Sequence, residues 1–344
     1  METVWFVLVA LILAGYVVLD GFDLGAGALH LLAARNDEER RMVLASIGPV
    51  WDGNEVWLIA AGGTLFYAFP LLYAASFSGF YLALNIVIWL LVFRAIGIEF
   101  RMHLENTVWR AFFDAAFSGA SILLIVFFGA ALGNVMRGVP LGSDHYFFVP
   151  LWTDFQPGRQ PGILDWYTGL CAVLALTALG LHGALYIILK TEGPLNQRLR
   201  LFVKWLWPPL VVFSGAALPA TVIVRPELLN NYRTGPAGWI IPVFVALGLA
   251  GIFYFTRRGN ERNAFLSSCL YIVAMLSGAA FALYPTLLPS SGDPANSITI
   301  RNAASGAASL SVGLMWWAGG MIIAIGYTTV VYTMFKGKVR EQHG

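Results

Sequence analysis

Seven ionisable side chains stand in stretches of sequence too apolar to solvate them: Asp20, Asp23, His30, Asp52, Glu55, Asp114 and His182. An ionised group at the centre of a bilayer costs at least ~2.5–3.5 kcal/mol, so each of these asks for a partner or a task. Asp20 and Asp23 are three residues apart and share one face of a helix. Carboxyl groups withdrawn from water and set near one another favour the neutral acid, which lets them exchange protons near neutrality. The chemistry on offer is therefore proton conduction. A plainer reading stands beside it, in which Asp20 and Asp23 cap broken helix ends or pair with basic residues of a partner chain.

The elements that position these residues follow from composition. Of 344 residues 58% are hydrophobic and 12% charged, and the mean hydropathy is +0.71. A soluble chain carries about a quarter charged residues, so the solvent here is lipid. The net charge of +2 and the scattered basic residues give no footing for nucleic acid. The two cysteines, Cys171 and Cys269, lie in different apolar runs with no Cys/His spacing, so no metal site or disulfide framework is expected. The N-terminus lacks the cationic region and cleavage site of a secretory signal and reads as a first permanent helix.

A span needs about 20 mostly apolar residues. Nine segments qualify, roughly 4–33, 45–69, 74–98, 111–135, 163–189, 203–224, 237–256, 264–286 and 313–335, and no soluble domain fits anywhere in 1–344. The expected fold is a single all-α polytopic membrane domain. Fifteen Lys and Arg residues fall in the connections after the odd-numbered spans and in the tail, Arg340 among them. Five fall on the opposite side: Arg137, Arg159, Arg225, Arg233 and Arg301. Cationic loops stay in the cytoplasm, which puts the N-terminus outside and the C-terminus inside. Asp23 and Asp52 then share a depth roughly 12–15 Å from the cytoplasmic surface, at ~1.5 Å of rise per residue. His30 lies nearer that surface, at the mouth of a proton path.

Other residues have local readings. Gly21, Gly25 and Gly27 allow a neighbouring backbone close to the acids. Pro49 removes a backbone donor and bends the start of the second span. Glu55 extends the polar face of Trp51 and Asp52. Asp114 stands one turn after Arg110, as an i,i+4 ion pair. Glu99, Arg101, His103 and Glu105 read as a solvated, ion-paired helix end. His182 reads as a hydrogen-bonded structural histidine rather than a haem ligand, since two isolated histidines suggest no multi-haem site.

Several segments resemble a known family when taken together: Leu19-Asp20-Gly21-Phe22-Asp23-Leu24-Gly25, Asn36-Asp37-Glu38-Glu39-Arg40-Arg41, and Gly48-Pro49-Val50-Trp51-Asp52-Gly53-Asn54-Glu55-Val56-Trp57-Leu58. Gly62-Gly63 through Phe69-Pro70, Phe77-Ser78-Gly79-Phe80-Tyr81 and Arg94 through Glu99-Phe100-Arg101 continue the match. Gly133-Asn134 and Thr299 through Ser305 are looser echoes. The pattern is similar to subunit II of the cytochrome bd quinol oxidases, a group that includes the cyanide-insensitive oxidases.

The resemblance implies nine helices, arranged as two four-helix bundles plus one peripheral helix, in a prokaryotic cytoplasmic membrane. It implies a partner, subunit I, holding two b haems, haem d and the quinol-oxidising loop, alongside membrane lipid, quinol and a small accessory subunit in some members. The complex oxidises quinol, reduces oxygen to water and draws the consumed protons from the cytoplasm; subunit II itself holds no haem and no metal. By position, Asp20, Asp23 and Asp52 match acids of the family's proton route, with Glu55 and His30 as polar support. Trp51 matches a tryptophan linked in some members to a bound quinone. Two other classes of function are weighed against this one: an ion-coupled secondary transporter, and a purely structural scaffold subunit.

Overall fold

The computed structural model describes residues 1–158 and 160–339; Arg159 and Arg340, both used in the charge count, and the remaining tail to 344 lie outside the described residues. The chain opens with α1 (Glu2–Ala33), followed by the short α2 (Asp37–Ile47), α3 (Trp51–Ala68), α4 (Pro70–Gly79) and α5 (Tyr81–Glu99). Then come α6 (Thr107–Arg137), α7 (Trp166–Lys190), α8 (Gly193–Val224) and the single-turn α9 (Asn230–Thr234). The chain finishes with α10 (Ile240–Arg257), α11 (Glu261–Leu283), the short α12 (Ile300–Ala303) and α13 (Ala307–Met334).

Among the described residues, eight helices are long and apolar enough to cross a membrane. The remaining expected span is α3, 18 residues long, whose first turn and a half carries Asp52, Asn54 and Glu55. Those three residues lower its hydropathy. The expected helix over 45–69 is in fact broken. Residues 37–47 fold as the separate, amphipathic α2, and Gly48-Pro49-Val50 interrupts the chain before α3. Proline lacks the donor that would carry a helix through, and the backbone leaves helix geometry at Val50. The sequence reading treats residues 34–44 as a connection, yet they hold a strong helix start. Asn36 accepts from the Glu39 amide, and Asp37, Glu38 and Glu39 complement the positive end of the helix dipole.

α1 is the central element. It packs on α3, α6, α7 and α11, while α5 packs on α6, α8 on α7, and α10 on α11. Two close crossings set its position. Gly25 of α1 faces Gly183 of α7, where a Cβ on either would meet the other's backbone, and Gly27 makes room for Ser121 of α6. α13 lies apart, with Leu310 and Gly313 its only buried residues among those described.

The termini of the long helices sort into two ends. At one, Trp5 donates to the Leu310 carbonyl at 3.1 Å, and a two-stranded hairpin, β1 (Thr286–Leu288) with β2 (Ile298–Thr299), touches the 138–162 connection through a bridge between Val139 and Ser290. At the other lie α2, the end of α7 and the segment after α13, joined by Lys338 donating to the Thr191 carbonyl at 2.9 Å. These two connections thus meet at one end of the molecule.

Candidate functional site

Tyr16, Asp20, Asp23, Gly27 and His30 recur every three or four residues along α1 and make one stripe. Asp20, Asp23 and His30 on that stripe are fully buried. The stripe meets two separate polar clusters.

The first surrounds the two aspartates. Arg94 of α5, itself fully buried, donates to both Asp20 oxygens, at 2.8 Å from Nη1 and 2.6 Å from Nη2. This two-pronged geometry is the strongest a carboxylate finds in a side chain. Arg94 Nη2 also donates to Glu55 Oε2 of α3 at 3.1 Å. Asp23 Oδ2 accepts from Asn54 Nδ2 at 2.7 Å. The same amide nitrogen reaches the Leu19 carbonyl at 3.1 Å, and Tyr332 of α13 donates to Asn54 Oδ1 at 2.9 Å. Among the described residues, Asp23 Oδ1 is buried with no hydrogen-bond partner. Arg94 thus bonds two of the three carboxyl groups, and the third, Asp23, is hydrogen-bonded to an uncharged amide.

Asp52 is not in this cluster. It is exposed on α3, whereas Asn54 is buried. Two residues along a helix turn by about 200°, so when Asn54 faces α1, Asp52 faces away. Trp51, beside it, is buried in the helical core. Glu55 lies between these directions and turns to Arg94 rather than extending a face with Asp52. Arg94 and Asn54 are the residues that sequence reasoning missed. An arginine in the run Leu-Leu-Val-Phe-Arg-Ala-Ile-Gly is as costly in lipid as an aspartate and signals a buried partner by the same argument. Asn54 carries no comparable signal.

The second cluster lies at the end that carries α2. His30 Nε2 is 2.6 Å from Asp114 Oδ1 of α6. Asp114 also accepts from Arg40 Nη1 at 3.0 Å and Arg101 Nε at 2.5 Å. The expected Arg110–Asp114 pair does not form: Arg110 bonds Asp37 Oδ2 at 3.1 Å. Nor is Arg101 solvated, since it is buried and joins Asp114 to Asp37. α2 brings both changes, because it delivers Asp37 and Arg40 to a place where a local i,i+4 rule sees no partner. Glu39 of α2 accepts from Arg198 at 2.8 and 2.9 Å and from the Arg35 amide at 2.6 Å.

Two groups on α2 titrate away from their usual range. The Arg198 fork, with the Arg35 amide, holds Glu39 below the ordinary carboxylate value. Burial works to raise Asp37, but hydrogen bonds from Arg101 and Arg41 outweigh it, and Asp37 too lies low.

Neither histidine is placed to take a haem. His182 spends both nitrogens, Nδ1 with Ser268 Oγ at 2.7 Å and Nε2 with the Val18 carbonyl at 3.0 Å, while its ring stacks on Phe265. This agrees with the structural reading of that residue. His30 is enclosed with the Arg40 and Arg101 guanidinium groups around Asp114. Among the described residues, no group of three His, Cys, Asp or Glu side chains converges on a metal position.

The family model described as cytochrome bd terminal oxidase subunit II matches residues 1–335. The chain is 33% identical to the cytochrome bd-I ubiquinol oxidase subunit 2 of Escherichia coli K12, over 98% of this chain and 95% of that protein. It is 27% identical to the cytochrome bd ubiquinol oxidase subunit 2 of Bacillus subtilis, over 99% and 98% respectively. Its fold is similar to a chain in the structure of bd oxidase from Geobacillus thermodenitrificans, with a TM-score of 0.73 at 15% identity, covering 97% of this chain and 98% of that one.

Proposed function

Since this chain belongs to the subunit II family of the cytochrome bd terminal oxidases, we propose that it supports a haem-bearing subunit I and carries part of the path by which protons reach the site of oxygen reduction. The enzyme is a quinol-oxidising oxidoreductase of which this chain is one subunit, and that membership sets aside the secondary-transporter reading. The observation that carries the proton role is Asp23: fully buried, hydrogen-bonded through one oxygen only, in a cluster with more carboxyl groups than cations. A buried carboxylate with a free lone pair is a place where a proton can be held.

The roles divide by surroundings. Asp20 is fixed by Arg94 and shapes the field around Asp23. Asp23 takes up and releases the proton. Asp52 stands on the outer side of α3, where a carboxylate at membrane depth calls for protein cover, and subunit I is the natural occupant of that face. The haems belong to that partner and supply the redox chemistry. The buried ring of Trp51 favours packing over the expected quinone contact.

The same reading includes α3 as a ninth span. It also includes two four-helix bundles with α13 peripheral, an N-terminus outside and a C-terminus in the cytoplasm of a prokaryotic cell, as the lysines and arginines favour. A structural-scaffold reading is favoured by one observation, the tight Asp20–Arg94 pair. The two part on Asp23→Asn in the assembled, haem-replete complex. A conductor loses quinol-driven oxygen uptake by roughly tenfold or more, whereas a scaffold keeps it.

A further inference from the structure

The mouth that the sequence places at His30 is closed. His30, Asp114 and Arg101 are buried, and Asp114 is bonded to both of the others. A different opening lies at the same end of the molecule. A cavity of about 290 Å³ is walled by Ala45, Ser46, Pro49, Val50, Tyr186 and Tyr332 and roofed by the segment 334–339 that follows α13. Ala45 and Pro49 on its rim are exposed. It shares Pro49, Val50 and Tyr332 with a neighbouring recess of about 10 Å³ that Asn54 also lines, about the space one water needs.

The roof is tied down from within. Val339 N donates to the Lys190 carbonyl at 2.7 Å, and Lys190 Nζ to the Phe335 carbonyl at 2.6 Å. Lys338 Nζ is spent on the carbonyls of Ile188 and Thr191, at 2.8 and 2.9 Å, and on Glu261. The Lys338 ammonium caps the carbonyl end of α7, and that of Lys190 the carbonyl end of α13. Lys336 also lines the cavity, whose wall mixes apolar side chains with Ser46, Tyr186 and Tyr332, and a cavity of this size with polar partners holds water.

Two side chains link that cavity to Asp23. Tyr332, on the cavity wall, donates to Asn54, and Asn54 donates to Asp23. An amide cannot hand a proton on as a hydroxyl or water can, so the last step passes beside Asn54 through the recess. Resting on the proton role proposed above, we infer that this cavity, under the segment after α13, is the water port serving Asp23. A proton borne by its water bonds to the Asp23 carboxylate, and the water is left neutral.

The port can be tested by blocking it after the complex has formed, so that folding is not in question. Ala45→Cys is assembled with subunit I, and the rim is then alkylated with N-ethylmaleimide. Proton uptake from the cytoplasmic side is followed with a pH dye after an oxygen pulse to the reduced complex. The unsubstituted complex given the same reagent controls for Cys171 and Cys269. The expected result is uptake slowed at least about tenfold by alkylation of the variant alone, with haem content unchanged. Unslowed uptake after full alkylation, with Asp23→Asn slow in the same assay, overturns the port and leaves the role of Asp23 standing. Wild-type uptake in Asp23→Asn overturns the proton reading itself and the port with it.

Discussion

Arg94 grips both oxygens of Asp20, at 2.6 and 2.8 Å, with neither side chain exposed to solvent. The pair joins α1 to α5 across the interior, and Glu55 of α3 takes a further guanidinium hydrogen at 3.1 Å. One cation thus fastens three helices and leaves Asp23 as the acid it does not hold.

Removing one side of such a pair strands the other. Arg94→Gln should cost about 3–5 kcal/mol, read as a lowered unfolding temperature and a loss of haem-replete complex. Adding Asp20→Asn removes the stranded charge and should recover part of the loss. If the double variant is no more stable than Arg94→Gln alone, the pair is not the source of the effect.

Asp52 behaves differently because it is exposed within this chain. Asp52→Asn should leave the stability of the assembled complex within about 0.5 kcal/mol, while oxygen uptake falls. Calorimetry and oxygen electrode measurements on the same preparation separate the two effects, and unimpaired uptake would exclude an essential role for Asp52.

The crossing of α1 over α7 leaves no space for a side chain. A Cβ at Gly25 would lie 2.9 Å from Gly183 Cα, whereas one at Gly119 meets nothing within 4 Å. Gly25→Ala should therefore destabilise by about 1–3 kcal/mol through overpacking, and Gly119→Ala should be neutral. Comparing the two by thermal unfolding isolates the steric term, since both residues are helical glycines.

His182→Phe should leave the haem spectrum of the complex unchanged. It removes the side-chain partner of the Val18 carbonyl and one of the two partners of Ser268 Oγ, which keeps the Phe265 carbonyl at 2.6 Å, at a cost of about 1–3 kcal/mol in stability. An altered haem spectrum would show that His182 does more than hold α1 to α11.

The α2 ion pairs set an acid limit. Asp37 and Glu39 have folded-state values below their ordinary 3.8 and 4.5. Their contribution is full above those ordinary values and is lost as pH falls through the lower, folded ones. Asp37→Asn with Glu39→Gln should lower the unfolding temperature at neutral pH, and the difference from the parent should vanish at a pH low enough to protonate both folded-state carboxylates. A difference that persists at that pH would assign the loss to packing rather than ionisation.

By itself the sequence determined the solvent, the long apolar helices and the family, because hydropathy and the motif around Asp20 to Glu55 are properties of short contiguous stretches. It also singled out Asp20 and Asp23 as buried acids, since a charge in an apolar run is costly wherever the run packs. Partner choice belonged to the tertiary structure. Asn54 rather than Asp52 meets α1 because α3 is rotated by its packing, and two helix positions about 200° apart cannot both face inward. Asp114 takes His30, Arg40 and Arg101 instead of Arg110 because α2, written in sequence as a charged connection, folds back between them. Charges in a low-dielectric interior seek the nearest opposite charge in space, and nearness across helices is decided by crossings such as Gly25 against Gly183.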